Sequence, residues 1–514
     1  CLNLNPNMKR KKNNVFPLKM SPAPPEEGAV LAPVWEVGAK AHGLLFAKNL
    51  EGTGGINVPE GFILSSELFK RIRDGNIRNP RFLRKMTFYM KKFIDEHTDR
   101  RFANSSNPVL LSVRSGAVFS MPGVMDTITN VGITQEIIDY YARQDAWFAY
   151  DCYRRLIQDF AISFYGMDRS IFEHLMAKAK EEAGVPLKEK LSGRQMELLT
   201  RRYRYVINEY GFSIPKDPYE QLLYAVIGVY QSWYSKIARN YREYVNISEE
   251  WGTAVILQRM VFGNFSPDYL TGVVHSVYLG TEYIGLFGEY KTRAQGHDIV
   301  SGVAKVFPIS EEQKKIYAKF RDFPSMERLF PESYRILYDA VSTIRQKWGN
   351  DVEIEFTIEN EKLYILQIRG MTKHIFEIEE LEESPADLSR YLLGQGLAAS
   401  GGAVSGRVVF DIDHIDFIKE KSKGDKIILV RPETNPEDVI GLKKSDGILT
   451  CIGGMTSHAV LQMRRLEKSG VSDFSVMKID DEKKQAIIKR DDTREIIFIR
   501  EGDFLTIDGS TGHV

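Results

Sequence analysis

The chain has 514 residues, 43% apolar and 27% charged, with Lys+Arg and Asp+Glu balanced at 69 each. That is enough for two or three domains with buried cores, and the even balance excludes a global field for nucleic acid or an anionic membrane, so an anionic ligand needs a local site. Cys1, Cys152 and Cys451 are well separated and suggest no disulfide framework, so a reducing, cytoplasmic setting is expected; no apolar run approaches the roughly 18 residues of a spanning helix.

Residues 1–29 are polar, basic and Pro-rich, with Lys9-Arg10-Lys11-Lys12 followed by Pro22 to Pro25. They read as a disordered or tag-like tail, and no apolar region follows that would make a secretory signal. Residues 30–377 read as one mixed α/β unit. Val58-Pro59-Glu60-Gly61-Phe62-Ile63-Leu64 is a turn and a short apolar run, and Val109-Leu110-Leu111-Ser112-Val113-Arg114 predicts a buried strand running into a Ser-Gly turn. Within this unit, residues 134–250 are helical. Aromatic and apolar residues recur at spacings of three and four through Tyr140, Trp147, Tyr150, Tyr153 and Leu156, and again through Leu222, Ala225, Val226, Val229 and Trp233. That stripe is read as core.

Strands return over 252–370. Ala254 to Phe262 is one apolar segment. Glu353-Ile354-Glu355-Phe356-Thr357-Ile358 alternates, Asn360-Glu361 predicts a hairpin turn, and Leu363-Tyr364-Ile365-Leu366-Gln367-Ile368-Arg369 returns. A side-chain period of two puts Glu353 and Glu355 on one face of the first strand, and Gln367 and Arg369 on one face of its partner. Residues 378–395, within an acidic stretch containing Pro385, predict a linker. Residues 396–514 form a Gly- and Val-rich α/β unit with strands at Lys426-Ile427-Ile428-Leu429-Val430 and Gly447-Ile448-Leu449-Thr450.

Gly453-Gly454-Met455-Thr456-Ser457-His458-Ala459-Val460 follows that last strand and opens a helix expected to reach about Lys468, with Thr456 or Ser457 as N-cap. Glycines let backbone amides approach a ligand, and free amides with the helix dipole favour an anion. A histidine here is placed for phosphoryl transfer, since neutral imidazole is a usable nucleophile. Arg464, six positions on, is placed to reach phosphate.

This octapeptide resembles the phosphohistidine motif of the pyruvate phosphate dikinase family, and Met455-Thr456-Ser457 is similar to the variant that uses inorganic phosphate. Val430 to Asp438, Gly396 to Gly406 and Gly502 to Gly512 resemble the rest of that domain. Val113-Arg114-Ser115-Gly116-Ala117, Ser120 to Thr127, Asp217 to Leu222 and Trp251 to Asn264 resemble segments of the family's first domain. The resemblance covers roughly residues 34–514. It implies an ATP-grasp-type nucleotide-binding domain with a helical insertion, then a swivelling phosphohistidine α/β domain. It implies ATP as substrate and Mg2+ as cofactor. By the same resemblance, Lys40, Arg114, Gly272, Glu353, Glu355, Gln367 and Arg369 bind nucleotide, with Glu353, Glu355 and Gln367 toward the metal. His458, Arg114 and Arg464 would be catalytic, and Thr456 a regulatory phosphorylation site.

The chain departs from the family at four places. The glycine-rich loop after Gly263-Asn264 is replaced by Phe265-Ser266-Pro267-Asp268-Tyr269-Leu270-Thr271-Gly272, where only Gly272 remains and Pro267 removes an amide donor. The basic residue expected soon after is replaced within Val274-His275-Ser276. Gln295-Gly296-His297-Asp298 carries histidine for glutamate, Glu353 stands for aspartate and Ala41 for glycine. The stretch ending at Val514 includes no C-terminal barrel, so an acceptor site is expected elsewhere.

The expected activity is transfer of the β-phosphoryl of ATP to His458, with AMP and pyrophosphate formed. The phosphohistidine would then meet pyruvate or another small acceptor on a partner subunit, in an oligomer or a separate protein. Two other readings stay open at this point. One is a catalytically impaired homologue acting as a regulatory subunit, and the other is a phosphohistidine carrier loaded by another protein.

Overall fold

The structure, a computed structural model, describes residues 15–18, 33–73, 84, 87–88, 90–92, 101–105, 107–119, 121, 124–244, 247–278, 284–300, 306–316, 320–371, 391–422, 424–434, 438–454, 457–480, 483–489 and 495–514. Strands β1 (Val15–Leu18), β2 (Gly61–Leu64), β3 (Arg101–Phe102), β4 (Pro108–Val109), β5 (Leu111–Ala117), β6 (Thr127–Val131) and β7 (Thr253–Arg259) come first. Apart from the short parallel pair β3–β4, they form one sheet ordered β1-β2-β7-β5-β6, with every neighbour antiparallel. Along β7, Val255 and Leu257 enter one core while Ala254 and Ile256 enter another. Burial on both faces explains why this strand reads as an unbroken apolar run.

β8 (Leu270–Val277), β9 (Ile284–Thr292), β10 (Phe307–Pro308), β11 (Val352–Glu359) and β12 (Lys362–Gly370) make a second antiparallel sheet, ordered β10-β9-β8-β11-β12. Val274, Ile354, Phe356 and Ile358 pack one face of it into a core shared with the helices Ala39–Asn49 and Pro331–Trp348. The expected hairpin is present. Asn360 (φ 49°) and Glu361 (φ 61°) form its two-residue turn, both left-handed as a type I′ turn requires.

The helical region covers the other face of the first sheet with Gln135–Ala142, Ala146–Ser163, Arg169–Glu182, Gly193–Glu209, Pro218–Ser232 and Lys236–Tyr244. Thr134, Asp145, Asp168, Ser192 and Asp217 cap their N-termini through side-chain oxygens. Trp147, Leu156, Leu222, Ala225, Val226, Val229 and Trp233 are all buried, so the stripe is core. A buried ion cluster ties these helices to the segment after β9. Arg154 and Arg155 donate to Asp151, while Arg155 and Lys188 reach Asp298 at 2.6 and 2.7 Å. Burial alone would raise the Asp151 carboxyl, but Arg155, Lys188 and Arg154 hold it well below the usual range.

The last unit contains β13 (Leu397–Ser400), β14 (Ala403–Val409), β15 (Ile427–Arg431), β16 (Gly447–Thr450), β17 (Ser469–Ser472), β18 (Met477–Asp480), β19 (Gln485–Lys489), β20 (Ile496–Arg500) and β21 (Phe504–Asp508). Six of them form a mixed sheet, β13-β17-β16-β15-β14-β21, with its three central pairings parallel. Ile415, Leu442, Val460 and Met463 cover one face from helices. The antiparallel β18-β19-β20 sheet contributes to the core on the other.

Several boundaries differ from expectation. Inside the stretch expected to be a tail, Val15–Leu18 adds an edge strand to β2; the rest of residues 1–29 lies outside the described residues, as do 372–390 and with them most of the expected linker. Residues 391–395 belong to the last unit, since the Leu393 amide donates to the Val514 carbonyl at 2.8 Å and Gln395 bridges His513. Ser115 and Gly116 continue β5 instead of turning. β7 stops at Arg259, short of Phe262, and the motif helix stops at Arg465, short of Lys468.

Candidate functional site

Cross-strand register builds the site on the outer face of the second sheet. Directly opposed residues share a face. One row runs Phe287, His275, Glu353, Arg369 across β9, β8, β11 and β12, and the next runs Glu289, Val273, Glu355, Gln367. Arg369 donates to Glu353 at 3.0 Å and lies 3.6 Å from Glu355. The paired carboxylates and the Gln/Arg pair therefore stand on one surface.

Arg114 reaches this surface from β5 of the first sheet. Its Nη1 donates to the Leu366 carbonyl at 2.8 Å, and its Nη2 donates to Gln367 Oε1 at 3.1 Å and Glu355 Oε2 at 3.3 Å. Between Gln367 and Ile365 the β11–β12 register shifts, leaving Leu366 as the extra residue of a bulge. The bulge takes the Leu366 carbonyl out of the ladder and makes it available to the guanidinium. Lys40 joins from the first turn of the helix Ala39–Asn49. That helix is seated by Gly38, at φ 82°, where a Cβ would fall 1.8 Å from the Gly116 carbonyl oxygen, and by Gly43, where a Cβ would fall 2.6 Å from the Ile368 carbonyl oxygen.

Burial dominates the electrostatics. It lowers the Lys40 ammonium to about 7, helped by Arg114 and Arg369 and opposed by Glu355. It raises the Glu353 carboxyl above its usual range, with Arg369 and Arg464 working against the shift. It drives His275 down to about 3, with Arg464 and Arg369 adding to the effect, so the ring is neutral. Lys40, Arg114 and Arg369 together form a cationic surface beside two carboxylates, an arrangement suited to a polyphosphate with a divalent cation.

The histidine-bearing unit meets the same face. Its motif helix starts at His458, capped by Ser457, whose Oγ accepts from the Val460 amide. A Cβ on Gly454 would fall 2.5 Å from a Glu289 carboxylate oxygen, so the glycine loop lies against the second sheet. Leu397 packs with Tyr278 and Phe287. Arg464 Nε donates to the Ala399 carbonyl at 2.8 Å, and its charge acts on both Glu353 and His275. Met455, Thr456 and the side chain of His458 lie outside the described residues.

Two of the expected residues make contacts of their own within the protein. Gly272 sits inside β8, opposite Phe356 on the core face, where a Cβ would fall 2.5 Å from the Phe356 ring. Its smallness serves packing against that ring. Gln367 gives its amide oxygen to Arg114, while its Nε2 has no partner among the described residues. Among the described residues, no three His, Cys, Asp or Glu side chains converge as a cage. Glu353 and Glu355 still fit a magnesium ion whose other ligands are phosphate and water, which is how that ion usually binds nucleotides. The segment replacing the glycine loop is pinned by Phe265, stacked edge-on against Phe148 at 4.8 Å. The side chain of His297 lies outside the described residues.

Glu289 and His275 belong to the site face although the sequence pattern did not place them there. The available signal was one charged residue within the apolar run Leu286-Phe287-Gly288-Glu289-Tyr290. A separate cleft of about 550 Å³ is lined by Lys419, Lys443, Lys444 and Lys468 together with Asn240, Glu243 and Asp446. Lys419, Lys443 and Lys444 lie in the last turns of their helices, where they offset the helix dipoles.

The family described as "Pyruvate phosphate dikinase, AMP/ATP-binding domain" matches residues 83–387, more than half of the chain. The chain belongs to the pyruvate phosphate dikinase family. Residues 423–512 match "PEP-utilising enzyme, mobile domain". Similar relatives include the pyruvate, phosphate dikinase of Rhizobium meliloti, 33% identical over 90% of this chain and 54% of its own length. The Entamoeba histolytica protein of that name is 35% identical over 90% and 53%. The chloroplastic one of Flaveria pringlei is 33% identical over 90% and 49%. The chain spans about half the length of the curated relatives it matches. Among the described residues, no helix is long and apolar enough to cross a membrane.

Proposed function

We propose that this chain carries the nucleotide-binding and phosphohistidine steps of a dikinase. In this reading the two antiparallel sheets are an ATP-grasp-type domain with a helical insertion, and residues from 391 onward are a swivelling phosphohistidine domain. ATP lies across the second sheet's outer face. Lys40, Arg114 and Arg369 hold its phosphates, and Gln367 donates to a phosphate oxygen. Glu353 and Glu355 hold magnesium, which would neutralise charge building on the phosphoryl oxygens.

An imidazole nitrogen of His458 forms a bond to the β-phosphorus, and the bond linking the α- and β-phosphoryl groups breaks with AMP leaving. The γ-phosphoryl passes to inorganic phosphate, giving pyrophosphate and leaving one phosphoryl group on His458. Positioning and charge stabilisation supply most of the catalysis in such a transfer. The phosphohistidine then meets a pyruvate-like acceptor on another domain or subunit.

One observation carries this reading: Gly454, four residues before His458, lies against Glu289 on the same sheet face as Glu353, Glu355 and Arg369. A complete set of cations and carboxylates on that face favours catalysis over a purely regulatory role. The test is ATP labelled at the β-phosphate. Label should appear on the protein, disappear with His458→Ala, and depend on inorganic phosphate for net turnover. Unlabelled wild-type protein at every phosphate concentration would overturn the reading.

A further inference from the structure

His275 is 1% exposed, and neither ring nitrogen has a hydrogen-bond partner among the described residues. Buried imidazoles are ordinarily satisfied. Leaving such a group unpaired is unfavourable, so an unpaired ring beside a charged site calls for a ligand. Register places His275 directly opposite Glu353. Its Nδ1 lies 3.9 Å from Glu353 Oε2, too far for a hydrogen bond. Two donors bound to one ion at roughly 2.0–2.2 Å each sit at most about 4.4 Å apart. The observed separation therefore suits a shared cation with little side-chain movement. Phe287, tilted beside the ring at 5.8 Å, fixes its place on the sheet.

We propose that His275 supplies an imidazole nitrogen to the divalent cation that Glu353 holds in the nucleotide complex, making a mixed nitrogen–oxygen site. The inference rests on the nucleotide-and-metal reading above. Nucleotide phosphates and water complete the coordination, so no three-residue cage is required. Imidazole suits transition ions more than magnesium, so nucleotide binding is tighter with Mn2+ or Co2+ than with Mg2+. Loss of one protein donor lowers that preference by about tenfold.

The test uses the full chain with His458→Ala, which keeps bound ATP from reacting, labelled with 15N-histidine and loaded with Mn2+ and ATP. Pulsed electron paramagnetic resonance should detect the hyperfine coupling of a directly bound histidine 15N, which the adenine nitrogens cannot mimic. Adding His275→Phe or His275→Gln should remove the coupling and reduce the Mn2+ over Mg2+ ratio in calorimetric nucleotide binding. Two variants are used because either alone could perturb β8. Mn2+ bound with nucleotide but showing no histidine coupling, or a coupling that persists in a folded variant, would overturn the inference and leave the nucleotide reading intact. No nucleotide-dependent Mn2+ binding at all would overturn both.

Discussion

Arg114 on the first sheet donates at 2.8 Å to the carbonyl of Leu366 on the second, and Leu366 is the one residue that the β11–β12 ladder leaves unpaired. An irregularity in one sheet thus becomes the anchor for an arginine from the other. The same guanidinium holds Gln367 and Glu355, so its orientation is fixed by the protein's own groups.

Arg114→Lys keeps the charge but not the fork. Charge-assisted hydrogen bonds contribute roughly 1.5–3 kcal/mol each. Nucleotide affinity measured by calorimetry should fall roughly 10–100-fold, since each tenfold is about 1.4 kcal/mol, and the unfolding midpoint should fall too, because the fork's bonds to Leu366, Gln367 and Glu355 are lost. Unchanged affinity would remove Arg114 from the site.

Lys40 gives a pH signature. With its ammonium lowered to about 7, the free protein holds it mostly neutral at pH 8. A bound polyphosphate favours the charged form and raises that value, so binding takes up a proton. Calorimetry at pH 8 in buffers of different ionisation enthalpy should show net uptake, and affinity should weaken as pH rises from 7 to 9. Lys40→Met should abolish the uptake. Proton release in the parent protein would contradict this assignment.

The seat of the Lys40 helix is similarly exacting. Gly38 occupies a backbone conformation essentially reserved for glycine, against the Gly116 carbonyl. Gly38→Ala should cost about 1–3 kcal/mol from backbone strain alone, seen as a lower denaturation midpoint, and should weaken nucleotide binding because the helix start must move away from Arg114. Gly52, also at positive φ but with nothing near its missing Cβ, is the control: its alanine variant should leave binding unaltered.

Asp298 is the acid that Arg155 and Lys188 share. Removing one partner of a buried cluster leaves charges uncompensated, at about 3–5 kcal/mol. Asp298→Ala should therefore lower stability to chemical denaturant strongly. An effect under about 1 kcal/mol, the range of exposed pairs, would show the cluster to be solvent-screened.

Much of this was legible in the sequence where local patterning decides structure. Glu353 and Glu355 could be assigned to one face because β11 alternates, and Asn360-Glu361 marked the turn that brings Gln367 and Arg369 alongside. Ser457, one of the two N-cap residues read for the motif helix, caps it. The contribution of His275 was not legible, since every residue of β8 is buried and no alternation distinguishes its faces. Its side follows only from register with β11, a relationship across some eighty residues. Leu366 was hidden for a related reason, because a bulge is a property of two strands together. The edge strand Val15–Leu18 lay in a Pro-rich, basic context and is recruited by β2, more than forty residues away. The packing of Gly272 against Phe356 was hidden as well, because its partner lies on another strand.

The seam between the two halves of the molecule has a kinetic corollary. Among the described residues, its cluster of fully buried apolar side chains is Leu397 with Tyr278 and Phe287. Each such side chain contributes at most about 1.5–3 kcal/mol, small beside the continuous cores on either side. With Arg465 over the Tyr241 ring at 5.1 Å as a further contact across the seam, the dwell time of the docked arrangement would be set by a few side chains, and Leu397 is one place to lengthen or shorten it, like the tension on a latch spring.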